Sequence, residues 1–160
     1  MRNLALKVIG RIRSPFAEST GTPIQAALAQ DVEGTVEVRA RFAAGLRDLE
    51  GFERVWLLYW FDRAASGKLL VKPFLDDQER GVFATRAPCR PNPIGLSNVR
   101  LLGIDGHRLR IKGVDVLDGT PLLDIKPYVP EFDAFKARRL GWLRRRTRQA
   151  VAANGRFDRS

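Results

Sequence analysis

Apolar and polar positions alternate with a period of two along much of the chain. Leu4, Leu6 and Val8 alternate with polar or small residues and predict a half-buried strand over residues 4–12, ended by Ser14-Pro15. Residues 14–31 carry turn formers and no clear period, which reads as a loop. Val36 and Val38 alternate with Glu37 and Arg39 and predict a second strand over residues 35–41. Residues 43–49 fit one or two helical turns. Residues 55–61 form a continuous apolar run, too short for a helix and β-rich in composition, which predicts a central strand buried on both faces. Residues 68–74 and the short Val82-Phe83-Ala84 read as further strands. Residues 99–104 and 107–114 flank Asp105-Gly106, the pattern of a tight hairpin, with His107 exposed at the turn. Asp118-Gly119-Thr120-Pro121 reads as a turn before a last strand, residues 122–125.

Many short strands with turns between them predict a mostly β chain, an antiparallel barrel or sandwich. From Phe132 to about Ala153 a terminal helix is predicted, with Phe135, Leu140, Trp142, Leu143 and Val151 only loosely periodic and Gly141 weakening it. No strand, glycine-rich loop and helix follow one another, so a nucleoside ligand would be held by something other than a Rossmann unit. Trp56, Tyr59 and Trp60 could stack on bases, but the run that holds them contains no basic residue, which favours a place in the core.

Charge changes the picture at one end. The chain of 160 residues has a net charge of +10. From Lys136 onward it holds nine basic residues and one acid, Asp158, so most of the excess sits in this tail. Such a segment suits phosphate backbones or is simply a solvated face. Cys89 is the single cysteine, which excludes an internal disulfide and fits a reducing, cytoplasmic setting. One His and one Cys argue against a structural zinc site, and no metal is expected. No apolar run approaches the roughly 20 residues of a membrane-spanning helix.

The densest candidate chemistry lies in residues 81–97, G-V-F-A-T-R-A-P-C-R-P-N-P-I-G-L-S. Pro88, Pro91 and Pro93 each fix φ and hold the residue before them extended. A loop stiffened in this way can present Arg86, Arg90 and Asn92 to an anion or polar ligand.

This block resembles the signature of the TsaA-like family, also called YaeB-like or TrmO. A second block, G-V-D-V-L-D-G-T-P over residues 113–121 with D-I-K-P-Y over 124–128, resembles the family's other signature. The opening I-G-R-I-R-S-P-F over residues 9–16 is similar as well. The resemblance implies a single antiparallel β-barrel domain with short helices over residues 1–133, followed here by a basic C-terminal helix or tail over 134–160. It also implies a homodimeric methyltransferase that uses S-adenosylmethionine and acts on N6 of N6-threonylcarbamoyladenosine next to the tRNA anticodon. Carried over by position, the cofactor contacts would be Pro23, Ile24, Gln25, Asp62, Arg63, Arg86, Leu96, Val116, Leu117, Asp118 and Gly119. Asp118 and Tyr128 are candidate catalytic groups. Arg90, Asn92, Lys126, Arg144, Arg145 and Arg146 are candidate RNA contacts. The chain departs from the family at Ile24, where arginine is usual, at Asp62, where histidine is common, and at Cys89, often histidine or aromatic. Two other readings stand beside this one: a non-catalytic RNA-binding barrel, and a methyltransferase for a small metabolite.

Overall fold

The computed structural model describes residues 4–65, 67–144 and 152–159. Six strands close into an antiparallel barrel: β1 (Gly10–Arg13), β2 (Glu33–Val38), β3 (Arg54–Trp60), β6 (Ile94–Asp105), β7 (Arg108–Lys112) and β8 (Thr120–Pro127). Around the barrel they run β1-β2-β7-β6-β3-β8. The remaining strands, β4 (Leu70–Val71) and β5 (Arg80–Gly81), form a small ribbon. Closure leaves no unpaired strand edge in the barrel.

Every second residue points inward. Ile12, Val36, Val55, Leu57, Val99, Leu109, Ile111 and Leu122 are all at most 1% exposed and fill the interior. Each such side chain contributes about 1.5–3 kcal/mol through burial. The barrel geometry corrects the expectation that β3 is buried on both faces. Val55, Leu57 and Tyr59 turn inward, whereas Trp56 and Leu58 are only half-buried and Trp60 is 40% exposed. Of the three aromatics expected in the core, only Tyr59 lies there.

Other expectations also shift. The first strand is only Gly10–Arg13, because pairing to β2 stops at Gly10 opposite Val38. Val82–Ala84 is a 3-10 turn, with Val82 buried and Phe83 76% exposed. The hairpin pairs Asp105 with Arg108, so Gly106 and His107 form the turn, one residue later than expected. The long terminal helix is absent from the described residues. One short helix, α1 (Pro130–Asp133), and a 3-10 turn at Gly141–Leu143 are found there instead. Gly141 sits at φ +55°, which an α-helix does not pass through. The tail folds back on the body, where Ala152 bridges to Pro23 and Asp158 to Ala64. Phe157 completes a second small core with Val71, Val82, Ala87 and Cys89. Among the described residues no helix is long and apolar enough to cross a membrane.

The longest loops gather at one end of the barrel. β1, β3 and β7 finish there and β2, β6 and β8 begin there. The loops 14–32, 61–93 and 113–119 therefore all meet at that end.

Candidate functional site

These three loops and the returning tail line a half-open cavity of about 640 Å3. Phe61, Phe74, Phe83, Leu117 and Trp142 give it a mainly apolar wall. The tail contributes Trp142, Leu143, Asn154, Phe157 and Asp158. Trp142 is fixed by its indole Nε1, which donates to the Ala84 carbonyl at 2.8 Å. Arg156 is also held to the body, stacking on Phe74 at 5.1 Å and donating to the Pro73 carbonyl at 3.3 Å. Arg159 donates to the Ala64 carbonyl at 2.9 Å.

A polar cluster forms where the cavity meets the barrel. Ser97 Oγ donates to Asp115 Oδ1 at 2.6 Å. Tyr59 OH lies 2.8 Å from Ser97 Oγ and, because the serine proton is already committed, it donates to that oxygen. Burial and the neighbouring Asp115 charge push the Tyr59 hydroxyl pKa upward, so it stays protonated. Burial also raises the Asp115 carboxyl to about 6, against opposing hydrogen bonds from Ser97 and the backbone amides of Asp115 and Ala26, and the attraction of Arg86. Gly95 makes the arrangement possible. It pairs with Tyr59, and a Cβ there would fall inside the Tyr59 ring.

Asp115 is the group that sequence reasoning passed over. Its one signal was a carboxylate within an apolar Val-Asp-Val triplet, which reads equally well as an outward position in a strand. Among the predicted cofactor contacts, Pro23, Ile24, Gln25, Asp62, Arg63, Arg86, Val116 and Leu117 do line the cavity. Arg86 Nη1 donates to Gln25 Oε1 at 2.6 Å. Arg63 braces the loops, donating to the carbonyls of Ala17 at 3.1 Å and Asp118 at 2.8 Å.

The remaining candidates fall elsewhere. The Asp118 carboxylate accepts the Ser14 backbone N–H at 3.2 Å and faces Arg13 at 3.7 Å, outside the cavity lining. The Gly119 carbonyl accepts from Arg11 Nη1 at 2.8 Å. The Asp118-Gly119 turn thus ties the loop to β1. Leu96 faces a second cavity, on the barrel wall. Tyr128 lies edge-on to Trp56 with centroids 5.8 Å apart and lines neither cavity. Arg90 turns back on its own loop, Nη1 donating to the Thr85 carbonyl at 3.0 Å. Asn92 is exposed. Lys126 pairs with Asp124 at 2.8 Å in the open. Arg144 is exposed, while Arg145 and Arg146 lie outside the described residues. Of the family departures, Ile24 and Asp62 reach the cavity, whereas Cys89 is fully buried behind it. Burial raises the thiol pKa, which makes it a poor nucleophile.

A closed antiparallel barrel with an apolar, acid- and arginine-edged cavity at its loop end defines a non-Rossmann barrel built to hold a small amphipathic ligand. The family profile described as tRNA-methyltransferase O N-terminal domain matches residues 11–134, and the chain belongs to that family. It is 53% identical over 156 residues to a "probable S-adenosyl-L-methionine-binding protein" of Pyrococcus abyssi, covering 96% of this chain and 85% of the relative. It is 36% identical over 141 residues to the human tRNA (adenine(37)-N6)-methyltransferase, covering 82% of this chain and 32% of the relative. The crystal structure of TrmO from Pseudomonas aeruginosa superposes with a TM-score of 0.74 at 43% identity, covering 88% of this chain. The chain spans 63% of the length of that solved protein.

Proposed function

We propose that this protein binds S-adenosylmethionine in the loop-end cavity and methylates N6 of the adenosine beside the anticodon in tRNA, in its threonylcarbamoyl form. The observation that carries the reading is the meeting of Asp115 and Arg86 on the wall of a largely apolar cavity of about 640 Å3. The donor set fits the cofactor. Phe61, Phe83 and Leu117 offer apolar surface to an adenine ring. The Arg86 guanidinium, already aimed by Gln25, suits a carboxylate. When bound, S-adenosylmethionine supplies a methyl group on a cationic sulfur.

The residues of this chain contribute position and proton handling. Asp115 Oδ is placed to take the proton that leaves the acceptor nitrogen. Ser97 and Tyr59 hold that carboxylate in one orientation through their chain of hydrogen bonds. Hydrogen bonds from Ser97 and the backbone amides of Asp115 and Ala26, with a further contribution from Arg86, offset part of the rise that burial causes, so the carboxyl, at about 6, is largely ionised at neutral pH. Holding two reactants in line supplies a large share of the acceleration in such transfers.

The same reading includes a homodimer. Across β3 and β6, Trp60 pairs with Ile94 and Leu58 with Leu96 on the outer surface. Trp60, Ile94 and Leu96 are 40, 41 and 48% exposed, an apolar strip that a second copy would cover. Light scattering should give twice the monomer mass, reduced to the monomer by Ile94→Glu. A monomeric wild type removes this part of the proposal.

The central test is isothermal titration with S-adenosylmethionine, followed by methyl transfer to threonylcarbamoylated and unmodified forms of one tRNA. Micromolar binding is expected, at least tenfold weaker in Arg86→Ala, with transfer to the threonylcarbamoylated tRNA alone. No binding at about 1 mM, near −4 kcal/mol, would remove the enzymatic reading. Equal transfer to both tRNAs would remove the substrate assignment.

A further inference from the structure

The barrel wall carries a second cavity of about 490 Å3 that shares a partition with the first. Gln25 and Arg86 line both cavities. Asp115 opens on the first, and its hydrogen-bond partner Ser97 opens on the second. The far side of this second cavity is built from rigid strands rather than loops. Trp56 lies opposite Asn98, Arg54 opposite Arg100, and Arg100 opposite Lys112, across β3, β6 and β7. These residues therefore share the outer face of the barrel.

Their chemistry is uneven. Arg54, Arg86, Arg100 and Lys112 are the cations of the lining, and Asp31 is the one carboxylate. Arg54 is anchored by Asn98, whose carbonyl accepts from Nη2 at 3.2 Å. Arg100 and Lys112 have looser partners: Glu53 at 3.6 Å and Asp31 at 3.2 Å, in pairs that are open to solvent. Exposed pairs of this kind are weak, so a phosphate can displace the carboxylate at little cost. Trp56 supplies a broad aromatic surface beside these cations. A planar base on a polyanionic backbone matches an aromatic surface ringed by cations.

We propose that the second cavity receives the acceptor nucleotide, with its base against Trp56 and its flanking phosphates on Arg54, Arg100 and Lys112. The exocyclic amine would then reach the wall that Gln25 and Arg86 share between the cavities, with Ser97 linking it to Asp115. This rests on the tRNA methyltransferase reading. It also gives RNA recognition to the barrel face rather than to Arg156 and Arg159, which are committed to backbone carbonyls.

The test uses the full chain with Trp56→Leu and Arg100→Ala, reading three quantities. These are S-adenosylmethionine affinity, the Kd of the tRNA measured without cofactor, and KM and kcat for the tRNA. Each variant is expected to weaken tRNA binding and raise its KM at least tenfold, with cofactor affinity within twofold of wild type. Arg100→Ala should also flatten the dependence of log Kd on log salt by about 0.7–0.9, the loss of one phosphate contact. Arg100 is exposed, so its variant reads the site even if Trp56→Leu unfolds. Wild-type tRNA affinity in Arg100→Ala overturns the inference, whether or not the wild type binds cofactor. Weakening that follows a change from dimer to monomer mass also overturns it, and makes the cavity part of a subunit interface. If the wild type binds tRNA through these residues but takes up no S-adenosylmethionine, the inference stands and the methyltransferase reading falls.

Discussion

Replacing Asp115 with asparagine should remove the proton acceptor and, relative to the wild type, gain stability as the pH rises from 4 to 8. The carboxyl pKa rises from 3.8 to about 6 on folding, mainly through burial. A folded pKa above the unfolded one means that the native state favours the protonated form. The group's stabilising contribution is therefore complete below the unfolded pKa, and is lost as pH rises through about 6. A shift of roughly two pKa units corresponds to about 3 kcal/mol, an upper figure because the carboxylate opens onto a cavity that water can enter. The amide of the substituted side chain would keep an acceptor for Ser97 and carry no charge. Urea unfolding of wild type and Asp115→Asn at pH 4 and pH 8 isolates this group, because the other titrations cancel in the difference. The variant should gain about 1–3 kcal/mol on the wild type between the two pH values. An equal difference at both pH values would show that Asp115 is not buried as described, and would weaken its assignment as the proton acceptor. A variant that gains the stability yet keeps full methyl transfer would refute the catalytic role while leaving the electrostatics intact.

Further outcomes follow from neighbouring contacts. Arg86→Ala removes a charge that lowers the Asp115 pKa, so the carboxyl titration followed by carbon NMR should move to higher pH; an unmoved midpoint would contradict the coupling. Gly95→Ala should displace the Tyr59 ring, cost about 1–3 kcal/mol in denaturant unfolding, and uncouple Tyr59 from Ser97. Phe157→Ala should cost about 3–5 kcal/mol and weaken cofactor binding together, since Phe157 belongs both to the second core and to the cavity wall. Lys126→Ala should leave the melting temperature unchanged, because its pair with Asp124 lies in solvent, and a clear loss would assign it a role the structure does not show.

The barrel was legible where a residue's neighbours in sequence set its environment. Val36 and Val38 alternate with charged residues because one face of β2 is interior and the other is wet. The same logic misled at residues 55–61. A barrel wall has one dry face, and Trp56 and Trp60 are apolar on its outer side for reasons that lie in neighbouring strands. Of the cations on the face of Trp56 only Arg54 is near in sequence; Arg100 and Lys112 are distant in sequence and brought to that face by the strand register, so inspection of the apolar run alone could not place them there. Val82–Ala84 is too short for periodicity to separate a strand from a turn, and packing of Val82 into the second core decided it. Among the described residues the tail is not a long helix, for a similar reason. Trp142 and Phe157 pack on the body of the protein whereas Phe132 and Phe135 stay exposed, and Gly141 takes a positive φ that an α-helix does not pass through. Arg86 was found because its loop is stiffened locally, whereas Asp115 acquires its meaning only once β6 brings Ser97 to it.

The returning tail also sets a timetable for synthesis. All six barrel strands are complete once Pro127 has emerged from the ribosome, and they can pair among themselves. The cavity still lacks Trp142, Asn154, Phe157 and Asp158, so its wall is not complete until about thirty further residues have followed. A nascent chain that stalls in this interval carries a folded barrel with an open, apolar mouth. It would be counted as folded by its β structure and as empty by its ligand. For this protein, translation past residue 158 separates folding from competence to bind.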